Sequence, residues 1–179
     1  MEKITIKDKT FEVSIPFSEL DMAAQRVADA INKDVVGKDP LFLCVLNGAF
    51  MFAADLLKKV NIPCQITFVK VASYDGMAST HTMKNLIGLN EDVEGRTIIV
   101  VEDIIDTGFT MEQVVAMLKE RGAAEVRIAT LFYKPQAFQR DYHIDYIGME
   151  IPNDFIVGYG LDYDGYGRNL PHIYSLVKE

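Results

Sequence analysis

Residues 98–111 read Ile-Ile-Val-Val-Glu-Asp-Ile-Ile-Asp-Thr-Gly-Phe-Thr-Met. Ile98 to Val101 form a β-branched run, the pattern of a strand buried on both faces. Glu102 and Asp103 follow where that strand reaches the rim of its sheet. Asp106, Thr107, Gly108 and Thr110 then make a small-residue turn before the helical spacing of Met111, Val114, Val115 and Leu118. A turn of this kind directs backbone N–H groups outward at the positive end of a helix dipole, where a phosphate binds. Carboxylates beside it can hold hydroxyls, directly or through a metal. A sugar phosphate satisfies both. The Gly-Lys-Ser/Thr ending of a P-loop is missing, which disfavours a nucleoside triphosphatase.

Working outward, strand and helix patterns alternate. Leu41 to Leu46 is a strand, Asn47-Gly48 a turn, and Ala49, Phe52, Ala53, Leu56, Leu57 and Val60 mark a helix face. Ile66 to Val71 and Val126 to Phe132 are further strands, and Leu86 to Leu89 is a short one. Leu20, Ala23, Ala24, Val27, Ala28 and Ile31 form an early helix, with Ser18 and Asp21 read as its capping box. The alternation predicts an α/β fold: a central, mostly parallel sheet flanked by helices. Ligands of such sheets bind beyond the carboxyl ends of the strands, so Asn47-Gly48, Glu102 to Thr110 and Lys134 should converge on one cleft. Residues 73–82 form a polar, Gly-containing interruption. At the N-terminus Ile4, Ile6, Phe11, Val13 and Ile15 alternate like a hairpin. Near the C-terminus Tyr146–Met149, Phe155–Val157 and Ile173–Val177 read as short strands. The expected organisation is one domain over 1–179, with a core of about 17–135 and a small cap from about 1–16 and 136–179.

Composition narrows the class. The 179 residues are 49% hydrophobic and 25% charged, ordinary for a globular chain with a sizeable core. A net charge of −8 leaves no overall basic footprint for nucleic acid. Cys44 and Cys64 lie in apolar runs and read as core thiols, in keeping with a reducing, cytoplasmic setting. Neither a signal peptide nor a membrane span is expected.

The stretch Val-Glu-Asp-Ile-Ile-Asp-Thr-Gly at 101–108 resembles the phosphoribosyl pyrophosphate motif of the type I phosphoribosyltransferases, and among them the hypoxanthine/guanine phosphoribosyltransferases. The similarity runs from about Leu41 to Leu170. It implies that Glu102 and Asp103 orient ribose hydroxyls and Mg²⁺, that Asp106 is the catalytic base, and that Thr107, Gly108, Phe109 and Thr110 grip the 5′-phosphate. Asn47 and Gly48 match the family's pyrophosphate loop, with Asn where the family commonly has Lys. Phe109 stands where many relatives have Lys or another residue, a change that backbone donation tolerates. Ser73 and Tyr74 match a loop that closes over the site. Lys134 matches the lysine that donates to a purine 6-oxo group, Phe155 the ring that stacks on the base, and Ile156 a backbone partner of its edge. Asp162 corresponds to a magnesium ligand on the pyrophosphate side, and Arg168 to a pyrophosphate contact.

The resemblance thus implies a purine salvage enzyme that uses phosphoribosyl pyrophosphate and a 6-oxopurine, with Mg²⁺ as cofactor and assembly as a homodimer or homotetramer. No nucleic-acid or membrane partner is expected. Two other readings stay open here: a xanthine-preferring enzyme, and a regulator on the same fold that binds RNA or a nucleotide without turnover.

Overall fold

The computed structural model describes residues 3–73 and 83–177. Tyr74 lies outside the described residues, as does the side chain of Ser73. Two sheets are present. The larger has six strands in the order β5-β4-β3-β6-β7-β8: β3 (Leu41–Leu46), β4 (Gln65–Ser73), β5 (Met83–Ile87), β6 (Thr97–Ile105), β7 (Glu125–Tyr133) and β8 (Tyr146–Glu150). All neighbours are parallel except β5, which runs antiparallel to β4. The mostly parallel sheet expected from the alternation is therefore present.

Period-two alternation explains how the helices sit. On β3 and β6, Phe42, Cys44, Ile99 and Val101 face α1 (Phe17–Asp34) and α2 (Phe50–Lys59), packing with Ala24, Ile31, Phe52 and Leu56. Leu41, Leu43, Ile98 and Val100 point to the other face, onto Met111, Val114 and Leu118 of α3 (Phe109–Glu120). Ile98 to Val101 are all 0% exposed, as a strand covered on both sides requires. Each large apolar side chain buried this way contributes roughly 1.5–3 kcal/mol. Among the described residues no helix is long and apolar enough to cross a membrane.

The strand order sets the position of the site. From β3 the chain passes to β4 on one side, then returns to β6 on the other. The order reverses between β3 and β6, and a crevice opens beyond their carboxyl ends. The residues following β3, Asn47 and Gly48, therefore stand beside Glu102 and Asp103 at the end of β6.

The second sheet, β1-β2-β10-β9, joins both ends of the chain: β1 (Lys3–Ile6), β2 (Lys9–Ile15), β10 (Ile173–Leu176) and β9 (Ile156–Val157). Phe11, Val157 and Tyr174 form its core. Two expectations need correction. Tyr146–Glu150, read as cap, belongs to the six-stranded sheet, pairing in parallel with β7 (Ala129 with Tyr146, Phe132 with Met149). Gly148 lets the strands approach, since a Cβ there would lie 2.7 Å from the Leu131 carbonyl oxygen. The capping box at Ser18 and Asp21 is not formed: α1 begins at Phe17 with Pro16 as N-cap and no side-chain cap bond. Its first turn is satisfied otherwise. Leu20 N–H donates to the Pro16 carbonyl (3.4 Å), and Phe17 N–H to His172 Nδ1 (2.9 Å).

Candidate active site

Near the carboxyl end of β6, which continues to Ile105, the chain places two carboxylates in succession. Glu102 is buried, and its Oε1 accepts from Asp103 N–H at 3.0 Å. Asp103 Oδ1 accepts from Ile104 N–H at 2.7 Å. Burial, then the adjacent Asp103 charge, holds Glu102 well above the ordinary carboxylate range. Burial also raises Asp103, opposed by its hydrogen bonds and by the positive charge of Arg168. A carboxylate pair of this kind, Glu102 buried and Asp103 half-buried, suits a hard divalent cation whose other ligands are substrate oxygens and water.

The turn after β3 rests on this pair. A Cβ at Gly48 would overlap the Asp103 carboxylate, so only glycine allows the approach. Gly160 sits against the Gly48 carbonyl in the same manner, with φ 101°. Gly160, Gly48 and Asp103 are thus stacked in contact. Arg168 fastens the outer layer, donating through Nη1 to the Gly160 carbonyl (2.7 Å) and pairing through Nη2 with Asp162 Oδ1 (2.8 Å). Asn47 is exposed at the edge of this stack, and the Leu46–Asn47 peptide is cis.

The turn after β6 carries Asp106, exposed, whose Oδ1 accepts from Thr107 N–H at 2.6 Å. Gly108 is the N-cap of α3, left-handed at φ 86°. A polar cavity of about 150 Å³ is lined by Glu102, Asp103, Asp106, Gly108, Thr110 and Met111, among others. The N-terminal end of α3 thus opens onto the same space as the acids. First-turn amides of a helix have no intrahelical acceptor, and an anion is one of the partners that can take that place. Phe109 is 37% exposed and its ring lies under the Arg140 guanidinium, 3.5 Å from the centroid.

A third group lies at the end of β7. Lys134 donates from its backbone to the Ile105 carbonyl (3.0 Å), and its Nζ reaches the Asp154 carbonyl (2.9 Å). That bond draws the ammonium to the segment bearing Phe155 and Ile156. Phe155 is 47% exposed, edge-on to Tyr163 at 5.8 Å. Ile156 is buried in β9, an edge strand paired on one side to β10. A large exposed ring, an ammonium and an edge-strand backbone can bind a flat heterocycle by stacking and hydrogen bonds.

The structure brings Gly48, Glu102, Asp103 and Arg168 into one neighbourhood, and Lys134, Phe155 and Ile156 into another. Asp162 is not gathered with Glu102 and Asp103. Its oxygens are engaged by Arg168 and by Gly165 N–H (2.7 Å), and the described residues hold no cluster of three ligand side chains. Asp162 therefore stands as a separate acid in the outer loop, apart from the pair at β6. Sequence reasoning gave Gly160 no role, though two nearby glycines, Gly158 and Gly160, marked a backbone under unusual demands.

Comparison with known proteins then defines the class. The model of the phosphoribosyl transferase domain matches residues 18–164, and the chain belongs to that family. Among its relatives is the hypoxanthine-guanine phosphoribosyltransferase of Streptococcus thermophilus (strain CNRZ 1066), 42% identical over 168 residues, covering 92% of this chain and 93% of the relative. The protein of the same name from Streptococcus pneumoniae (strain R6) is 39% identical, covering 94% of each. A solved hypoxanthine-guanine phosphoribosyltransferase of Bacillus anthracis superposes with a TM-score of 0.86 at 33% identity, covering 93% of this chain and 98% of that one.

Proposed function

We propose that this protein is a purine salvage enzyme transferring the 5-phosphoribosyl group from phosphoribosyl pyrophosphate to hypoxanthine or guanine, giving IMP or GMP and pyrophosphate. The cavity that Glu102 and Asp103 share with Asp106, Gly108 and Thr110 carries the proposal, because partners for sugar hydroxyls and for a phosphate meet in one small space. Relatives named for this activity favour it over a xanthine-preferring enzyme and over a regulator without turnover.

Each group then has a task. Amides and hydroxyls from Thr107 to Thr110 hold the 5′-phosphate and fix the ribose. Glu102 and Asp103 orient the ribose hydroxyls and are the residues that would hold Mg²⁺. When bound, Mg²⁺ neutralises charge on pyrophosphate as it departs. Gly48 contributes backbone and Arg168 charge on the pyrophosphate side, with Asn47 at its edge and Asp162 holding Arg168 in place. Asp162 would reach a cation only after leaving that pair. Phe155 stacks on the purine, the Ile156 backbone meets its edge, and Lys134 donates to the 6-oxo oxygen. Asp106 accepts the N7 proton as N9 attacks C1 of the ribose. The loop from Ser73 and Tyr74 shields the oxocarbenium-like transition state from water. Ile66 and Phe68, 45% and 47% exposed on one face of β4, support a homodimer or homotetramer. A cytoplasmic setting accords with the free thiols of Cys44 and Cys64.

The test is Lys134→Ala. A 6-oxo acceptor left without its donor costs about 1–3 kcal/mol, tenfold or more in hypoxanthine use. KM for hypoxanthine should rise far more than KM for phosphoribosyl pyrophosphate. Equal loss for both substrates would place Lys134 outside the base pocket.

A further inference from the structure

Three consecutive residues, Thr107 and Gly108 of the turn after β6 and Phe109 at the start of α3, are held from outside by one short segment, Phe138 to Tyr142. Gln139 N–H donates to the Thr107 carbonyl at 3.1 Å. Tyr142 Oη donates to the Gly108 carbonyl at 2.8 Å. The Arg140 guanidinium covers the Phe109 ring at 3.5 Å. The segment is itself locked: Phe138 meets Tyr142 edge-on at 5.2 Å and Tyr133 of β7 edge-on at 5.4 Å. Gly108 is wedged against it, since a Cβ there would lie 2.5 Å from the Phe138 ring and 3.0 Å from Tyr142 Oη.

The consequence follows from peptide planarity. In a trans peptide the carbonyl and the following N–H point in opposite directions. Fixing the Thr107 carbonyl therefore fixes the Gly108 N–H, and fixing the Gly108 carbonyl fixes the Phe109 N–H. Both carbonyls are drawn toward the 138–142 segment, so both amides are aimed away from it. The left-handed Gly108 would otherwise be the freest hinge in the turn. The Gly108 carbonyl also accepts the first helical bond, from Glu112 N–H at 3.2 Å, and Tyr142 adds a second donor to it. Burial of the phenol keeps its pKa raised, so it remains a donor at neutral pH.

We propose that Tyr142 is a positioning residue for 5′-phosphate binding: through the Gly108 carbonyl it holds the amides of the phosphate turn in their binding orientation. This rests on the reading of that turn as the 5′-phosphate site. Tyr142 acts on the ligand only through the turn.

The experiment compares wild type with Tyr142→Phe, which deletes the hydroxyl and keeps the ring against Phe138. Ribose 5-phosphate serves as probe, as an inhibitor competitive with phosphoribosyl pyrophosphate. Removing one hydrogen bond should raise its Ki, and the KM for phosphoribosyl pyrophosphate, by about three- to tenfold. The KM for hypoxanthine and the melting temperature should stay near wild type. An unchanged Ki overturns the positioning role. So does an equal rise in both KM values, or a fall in melting temperature without a selective effect, since each is what a merely structural contact produces. If ribose 5-phosphate does not compete in wild type, the phosphate assignment of the turn fails first and the positioning role falls with it.

Discussion

Gly108→Ala and Gly37→Ala form a matched pair, because the two glycines share a left-handed backbone and differ in their surroundings. Gly108 has φ 86° and Gly37 has φ 76°. An alanine in that conformation costs roughly 1–2 kcal/mol at either position. A Cβ at Gly37 meets nothing within 4 Å, whereas at Gly108 it would stand 2.5 Å from Phe138. Restoring ordinary contact at 3.4 Å demands a shift of about 0.9 Å in the turn at Gly108 or in a ring wedged between two tyrosines. Such overpacking adds about 1–3 kcal/mol, and in a domain of this size each kcal/mol lowers Tm by about 2–4 °C. Gly37→Ala should lose a few degrees and keep its activity. Gly108→Ala should lose more, and its kcat/KM for phosphoribosyl pyrophosphate should fall by about 10²-fold, the cost of misplacing binding groups by about an ångström. Calorimetry with steady-state kinetics reads both. Equal losses of Tm in the two variants, with equal kcat/KM, would refute the argument that this turn is held by contact with Phe138.

Asp106→Asn should keep the bond to Thr107 N–H and the fold, yet slow turnover by about 10²–10⁴-fold, the usual contribution of a general base; single-turnover kinetics checks this, and near-wild-type turnover removes Asp106 from the mechanism. Glu102 carries a pH signature. Its folded-state pKa is raised above the ordinary 4.5, so the folded protein binds more protons than the unfolded chain above that pH. Its stabilising contribution is complete below 4.5 and is lost as pH rises through the folded value. Glu102→Gln, melted in chelator across mildly acid to neutral pH, should show a flatter decline in Tm than wild type; an identical decline would mean that Glu102 is not the group responsible.

How far the sequence could be read depends on whether a feature is local. Strand β6, the turn after it and the flanking helices were legible because β-branched runs, small-residue turns and helical spacing are properties of neighbouring residues. Strand β8 was legible as a strand but not in its place: a five-residue apolar alternation looks the same in either sheet, and the close approach of Gly148 to Leu131 is a contact made across the fold. The start of α1 was misread for a similar reason, since its cap is completed by His172, 155 residues away. At the site, the adjacent acids and the small-residue turn before α3 were local and readable as features of the chain. The stacking of Gly160 on Gly48, the withdrawal of Asp162 into a pair with Arg168, and the brace from Phe138 to Tyr142 arise only when distant segments meet. The brace left no periodic signal: its aromatic residues lie in irregular chain between β7 and β8.

The most direct test of the account follows the pure protein with phosphoribosyl pyrophosphate and Mg²⁺, offering hypoxanthine, guanine, xanthine and adenine in turn and separating nucleotide products chromatographically. The account predicts IMP from hypoxanthine and GMP from guanine, little or no AMP, and no product after exhaustive chelation. Adenine used as readily as hypoxanthine, or no nucleotide formed from any base, would contradict it.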